Sequence, residues 1–217
     1  MLQIRKIGLL GLGLVVLFSL SGASCNWFNK KNTTPNTNTA ESLTNVDPTS
    51  IDSSLATYLQ LAKTKAAEWK RDAALYYVSI KLPVSLLPAL ANETYVFGSA
   101  SDANNWWTIS IAEGSGKYLR AIIPKEDYLG NTLKPINEQY WKTNYLTAFQ
   151  VAEKNGGSTF RTNNIDTEVT MNLSQGEPKG WLWWYAEYKA PSGNSQKIII
   201  NPSDKSVVDD SGNIISK

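Results

Sequence analysis

Residues Trp181–Asp204, WLWWYAEYKAPSGNSQKIIINPSD, decide how the folded part of this chain is read. A tryptophan-rich strand, a Pro-Ser-Gly-Asn turn, a triple-isoleucine strand and a polar turn follow one another. The same outline occurs 77 residues earlier without a gap. Trp106-Trp107 falls at the place of Trp183-Trp184, Ser115-Gly116 at Ser192-Gly193, and Arg120 at Lys197. Ile122-Ile123 and Asp127 likewise fall on Ile199-Ile200 and Asp204. A shared offset over so many positions predicts an internal repeat.

Each expected unit runs helix, strand, hairpin. In residues 51–136, Asp52 or Ser53 supplies a helix N-cap. Leu55, Tyr58, Leu59, Ala62, Ala66, Trp69 and Ala73 recur at steps of three and four, an amphipathic helix of about five turns. The period changes to two from Tyr76 to Leu82, a half-buried strand ended by Pro83. Residues 83–90, PVSLLPAL, are apolar but hold two prolines; they either face a partner or pack across the repeat boundary. Trp106–Ala112 and Lys117–Ile123 flank Glu113-Gly114-Ser115-Gly116, a hairpin signal. In residues 137–217 a helix is expected from Asn137 to Lys154, ended by Asn155-Gly156-Gly157. A strand over Ile165–Leu173 and the opening hairpin follow. The resulting fold class is α+β: two repeated helix-plus-antiparallel-sheet units.

The N-terminus reads as an address. Arg5-Lys6 precede an uncharged apolar run, Ile7–Leu20, too short to span a bilayer comfortably, and Ser21-Gly22-Ala23-Ser24 lead into Cys25. This is the layout of a signal peptide over residues 1–24. Ser21–Cys25 resembles the lipobox of bacterial lipoproteins, with Gly22 where leucine is most usual. The resemblance implies that Cys25, the single cysteine in the chain, carries a diacylglycerol and becomes the mature N-terminus. Each acyl chain adds about 0.8 kcal/mol per buried CH₂, so two or three chains hold firmly where one does not. The implied address is the cell membrane or outer membrane, facing the periplasm or the exterior. Residues 25–50, rich in Asn, Thr, Ser and Pro, lack either apolar period and read as a linker with a span of roughly 25–30 Å. Trp27-Phe28, just after the anchor, suit the membrane interface.

A second resemblance covers about residues 137–217. The expected helix ending at Gly156-Gly157, the aromatic strand Trp181–Lys189, and Lys197–Ile200 running through Asn201-Pro202-Ser203-Asp204 into Val207-Val208 are similar to a PepSY-type domain. Asn201 stands where that family prefers aspartate, and Lys205-Ser206 where it prefers Thr-Gly. The resemblance implies a protein that binds or inhibits a protein or peptide partner, with peptidases the usual suggestion.

Composition narrows the chemistry. The chain has 21 Lys+Arg, 19 Asp+Glu and no histidine. Losing Arg5 and Lys6 with the signal leaves 19 basic residues against 19 acidic, so no positive field attracts nucleic acid. Without histidine there is no Ser-His-Asp triad and no His-based zinc site. No P-loop motif is present, and Asp204, Asp209 and Asp210 match no EF-hand spacing. Neither cofactor nor metal is expected, and no enzyme activity. Glu113, Glu168, Glu177 and Glu187 keep a two-carboxylate glycosidase formally open. The aromatic strands leave two alternatives: Trp106, Trp183 and Tyr185 are either covered by the other unit or exposed, ready to stack on a glycan or a cell-wall polymer. Replacing Cys25 by serine is expected to move the protein from the membrane to the soluble fraction; membrane association unchanged on fractionation would exclude the lipid anchor.

Overall fold

The computed structural model describes residues 41–42 and 56–217. The signal, Cys25, Trp27-Phe28 and the expected caps Asp52 and Ser53 lie outside the described residues. Strand β1 is Glu41–Ser42, followed by helix α1, Leu59–Trp69, and strands β2 (Ala74–Leu82), β3 (Asn92–Ser99), β4 (Asp102–Ala112) and β5 (Lys117–Pro124). Helices α2 (Tyr145–Ala152) and α3 (Ser158–Asn163) come next. Strands β6 (Glu168–Gly176), β7 (Trp181–Lys189), β8 (Ser195–Ile200), β9 (Val207–Val208) and β10 (Ile214–Ser216) complete the order.

The expectation of two repeated helix-plus-sheet units is overturned. The strands form one antiparallel sheet of ten, ordered β1-β5-β4-β3-β2-β6-β7-β8-β9-β10, with only short helical segments beside it. Two observations remove the repeat. First, the hairpins differ in register: Trp107 pairs with Ile122, but Trp184 pairs with Ile200 rather than Ile199. The turns explain this. Residues 113–116 separate the last pair Ala112 and Lys117, whereas residues 190–194 separate Lys189 and Ser195. One extra residue in a turn slips the whole pairing by one. Second, the expected boundary near residue 136 is stitched into the sheet. Lys134 bridges Gln175, and the Ile136 amide donates to Leu75 O at 2.7 Å.

The alternation of each strand sorts residues between two faces. One face carries Val78, Ile80, Phe97, Trp107, Ile109, Met171, Leu173, Trp184 and Ile200, all buried. Helix α1 packs there through Leu59, Ala62 and Ala66, and α2 through Tyr145, Ala148 and Ala152, in one continuous core. The other face holds a smaller apolar cluster of Trp183, Ile199 and Val208.

Both helices are shorter than their periodicity suggests. Helix α1 ends at Trp69, and its N-cap, Tyr58, makes no side-chain cap bond. The Asn137–Lys154 helix breaks into a single 3₁₀ turn at Glu138–Tyr140, an extended stretch, and α2. Asn144 starts α2 by accepting from Thr147 N at 2.8 Å, an N-cap that excludes the preceding residues from the helix. Asn155-Gly156-Gly157 does end this helix: Asn155 and Gly156 leave the helical backbone, Gly156 at φ 113°, and α3 starts directly beyond. Gly157 lies against Tyr188, whose hydroxyl donates to Glu153 Oε1 at 2.9 Å; Arg161 pairs with the same carboxylate. A Cβ at 157 would overlap that hydroxyl and lie 3.0 Å from Ala152 O. Gly157→Ala is therefore expected to cost about 1–3 kcal/mol by overpacking, read as a lower denaturant midpoint at unchanged slope.

Candidate functional site

The aromatic strand β7 outruns its neighbour. Strand β8 ends with Ile200 opposite Trp184, so Trp181, Leu182 and Trp183 extend past it. Strand β9 takes over one step further: Val208, together with Ile199, covers Trp183, leaving it 1 % exposed. Trp183 donates its indole N–H to Pro178 O at 2.7 Å. Trp181, two residues earlier on the same face, is 54 % exposed. It stacks on Trp183 at 5.9 Å, and the Lys179 ammonium lies 5.2 Å from its ring centroid. Trp106, also 1 % exposed, packs on Tyr76 at 4.9 Å with the Lys125 ammonium 4.2 Å above it, and its buried indole N–H finds no partner. Tyr185 is half-buried and donates its hydroxyl to Glu177 O at 2.6 Å; burial pushes that hydroxyl up to about 12. Of the three expected binding aromatics, Trp106 and Trp183 therefore offer no ring face for stacking, and Tyr185 has its polar end engaged.

Beside Trp181 opens a cleft of about 460 Å³. Its walls come from three loops: Asn137 and Tyr140 before α2, Gln175 and Gly180 around the β6–β7 turn, and Asn201 and Ser203 after β8. The loops are tied together by Ser203 Oγ donating to Tyr140 O at 2.7 Å and Lys142 N to Pro202 O at 3.1 Å. Tyr140 is 52 % exposed, so two open aromatic rings line one cleft. Among the described residues its walls carry no carboxylate, while the Lys179 ammonium lies over Trp181 and the Lys134 ammonium beside Gly180. Asn137 and Asn201 each use the side-chain oxygen to accept a backbone amide two residues on, from Gln139 and Ser203. Each amide NH₂ then remains as a donor held in a set direction. The signal for Trp181 was present in the sequence as unequal strand lengths. Nothing local marked Asn137, Tyr140, Gln175 or Asn201, which meet only through the tertiary fold.

The acids separate. Glu168 pairs with Lys81 at 3.0 Å, Glu177 accepts from Lys179 N at 3.1 Å, and Glu187 stands opposite Lys197 in register. Glu113 alone meets another carboxylate, the wholly buried Glu93, which the sequence reading did not single out. Glu93 accepts from Thr57 N at 3.1 Å and Tyr58 N at 3.0 Å, and from the Tyr95 hydroxyl. Those bonds hold the chain just before α1 to β3. Asp204 and Asp209 close turns, accepting from Ser206 and from Ser211 and Asn213, and Asp210 pairs with Lys197 at 2.9 Å. Among the described residues no three His, Cys, Asp or Glu side chains gather to hold a metal, and no helix is long and apolar enough to cross a membrane.

No family model, curated protein or solved structure matches the chain.

The contrast between adjacent tryptophans is measurable. Trp183→Ala is expected to cost about 3–5 kcal/mol through the cavity it leaves, whereas Trp181→Ala stays within about 1 kcal/mol of the parent in denaturant melts.

Proposed function

We propose that this protein is a lipid-anchored, extracytoplasmic binding protein without enzymatic activity, and that its ligand is a glycan or cell-wall sugar held in the cleft at Trp181 and Tyr140. The observation that carries this reading is a cleft lined by two exposed aromatic rings and by the side-chain amides of Asn137, Gln175 and Asn201. A sugar presents an apolar C–H face and a rim of hydroxyls. Aromatic side chains suit the first and carboxamides the second. The asparagine donors are already oriented by their turns, which lowers the ordering cost of binding. A volume of about 460 Å³ lies within the range of small-ligand sites.

A protein partner, implied by the PepSY resemblance, is the second reading, and one observation favours it. Strand β5 pairs with β4 along its whole length, and among the described residues β1 meets its other edge at Lys117 and Tyr118. Leu119 and Ile122 are exposed on β5, so an extended peptide has apolar side chains to pack on.

The test uses the mature chain bearing Cys25→Ser on a glycan array, followed by calorimetry with the sugars retained. Trp181→Ala, Tyr140→Ala and Gln175→Ala are each expected to weaken binding by about tenfold or more. Absence of any glycan ligand, or binding indifferent to all three changes, would reject the glycan reading. Capture of a peptide blocked by Leu119→Lys would then favour the partner.

A further inference from the structure

Helix α1 has no side-chain cap of its own. Its first turn rests instead on Glu93, from the core face of β3. The two oxygens of Glu93 accept the amides of Thr57 and Tyr58, at the end of the helix where negative charge is favoured. Glu113, just after β4, lies beside Glu93, and Thr57 donates to both, through its amide to Glu93 and its hydroxyl to Glu113. Glu113 Oε1 accepts the Tyr145 hydroxyl of α2 at 3.3 Å and the Thr57 hydroxyl at 3.5 Å. The titratable groups facing the pair are thus Tyr58 from α1, Tyr95 from β3 and Tyr145 from α2. Three elements meet on two carboxyl groups.

Two carboxylates in contact in such a place do not both ionise readily; one proton between them turns repulsion into a hydrogen bond. We propose that the Glu93–Glu113 pair is a proton-dependent latch: with its shared proton it clamps the start of α1 onto the sheet, and on losing that proton it releases the helix start while the sheet stays folded.

Burial first, then the charge of Glu93 beside it, push Glu113 up to about 8. The folded state therefore binds this proton more tightly than the unfolded chain, whose carboxyl titrates near 4.5. The latch is fully closed below the ordinary carboxyl range. Its contribution is lost as the pH rises through about 8. Tyr145 and Thr57, by donating to Glu113, favour its ionised form and pull against that rise.

Backbone hydrogen exchange on the mature chain bearing Cys25→Ser, corrected for intrinsic rates, tests the latch between pH 6 and pH 9. Protection of Thr57 to Ala66 is expected to fall by about tenfold or more, while β6, β7 and β8 keep theirs. Glu113→Gln, which cannot ionise, is expected to keep α1 protected at pH 9. Should that variant fail to fold, Tyr145→Phe serves in its place: removing a donor to the carboxylate moves the opening to higher pH. A fall shared by the whole sheet overturns the latch. So does no fall at all, a fall retained in Glu113→Gln, or a Tyr145→Phe midpoint that stays put or moves down.

Discussion

Two indole N–H groups, from Trp141 and Trp184, converge on one backbone oxygen, that of Thr143, at 3.1 and 2.9 Å. The two rings meet edge to face, 5.9 Å apart at 77°. A buried indole must find an acceptor, and here a single carbonyl between the 3₁₀ turn and α2 serves both. That carbonyl fixes the loop to the middle of β7. On its C-terminal side α2 begins at once with Asn144 as cap. On its N-terminal side Asn137 and Tyr140 are delivered to the cleft. The tryptophan core and the cleft wall are consecutive outcomes of one contact.

The cleft and the carboxyl pair illustrate two uses of polar groups. At the cleft, backbone amides occupy the asparagine oxygens while the side-chain NH₂ groups remain donors on residues that line it. At the carboxyl pair the bonds run to Thr57, Tyr58, Tyr95 and Tyr145 within the protein. The first arrangement suits recognition and the second suits holding an element in place. A two-carboxylate hydrolase would need the second group to look like the first, with oxygens open to a bound sugar and a water.

Much of the strand pattern was legible. The pattern marked β2, β5, β7 and β8 to within about two residues, whereas β4 starts at Asp102 rather than Trp106 and β6 runs Glu168–Gly176 rather than Ile165–Leu173. The helix at Leu59 was legible because Leu59, Ala62 and Ala66 pack on a continuous core. What failed was arithmetic between segments. Matching residues at an offset of 77 suggested equal hairpins, yet one additional turn residue changed the pairing of Trp184. The fate of the tryptophans turned on the end of β8, since Trp183 and Trp181 share a face and differ only in what lies above them. Glu93 was invisible because its partners, Thr57 and Tyr58, are 36 and 35 residues away. Alternation assigned it to the core face, where a charged residue has no local reason to be.

The strand order also bears on how the chain reaches this state. From β2 to β5 and from β6 to β10, every neighbour in the sheet is a neighbour in sequence. Two pairings join distant parts: β1 with β5, over two residue pairs, and β2 with β6, which brings Tyr77 beside Ser174 and Leu82 beside Val169. Until the β2–β6 junction closes, both are edge strands that present Val78, Ile80, Met171 and Leu173 to whatever is near. Non-local pairing is slow relative to hairpin formation, and an open apolar edge invites pairing between chains. The middle of the finished sheet is thus the last part protected, and it is where association between molecules competes with folding.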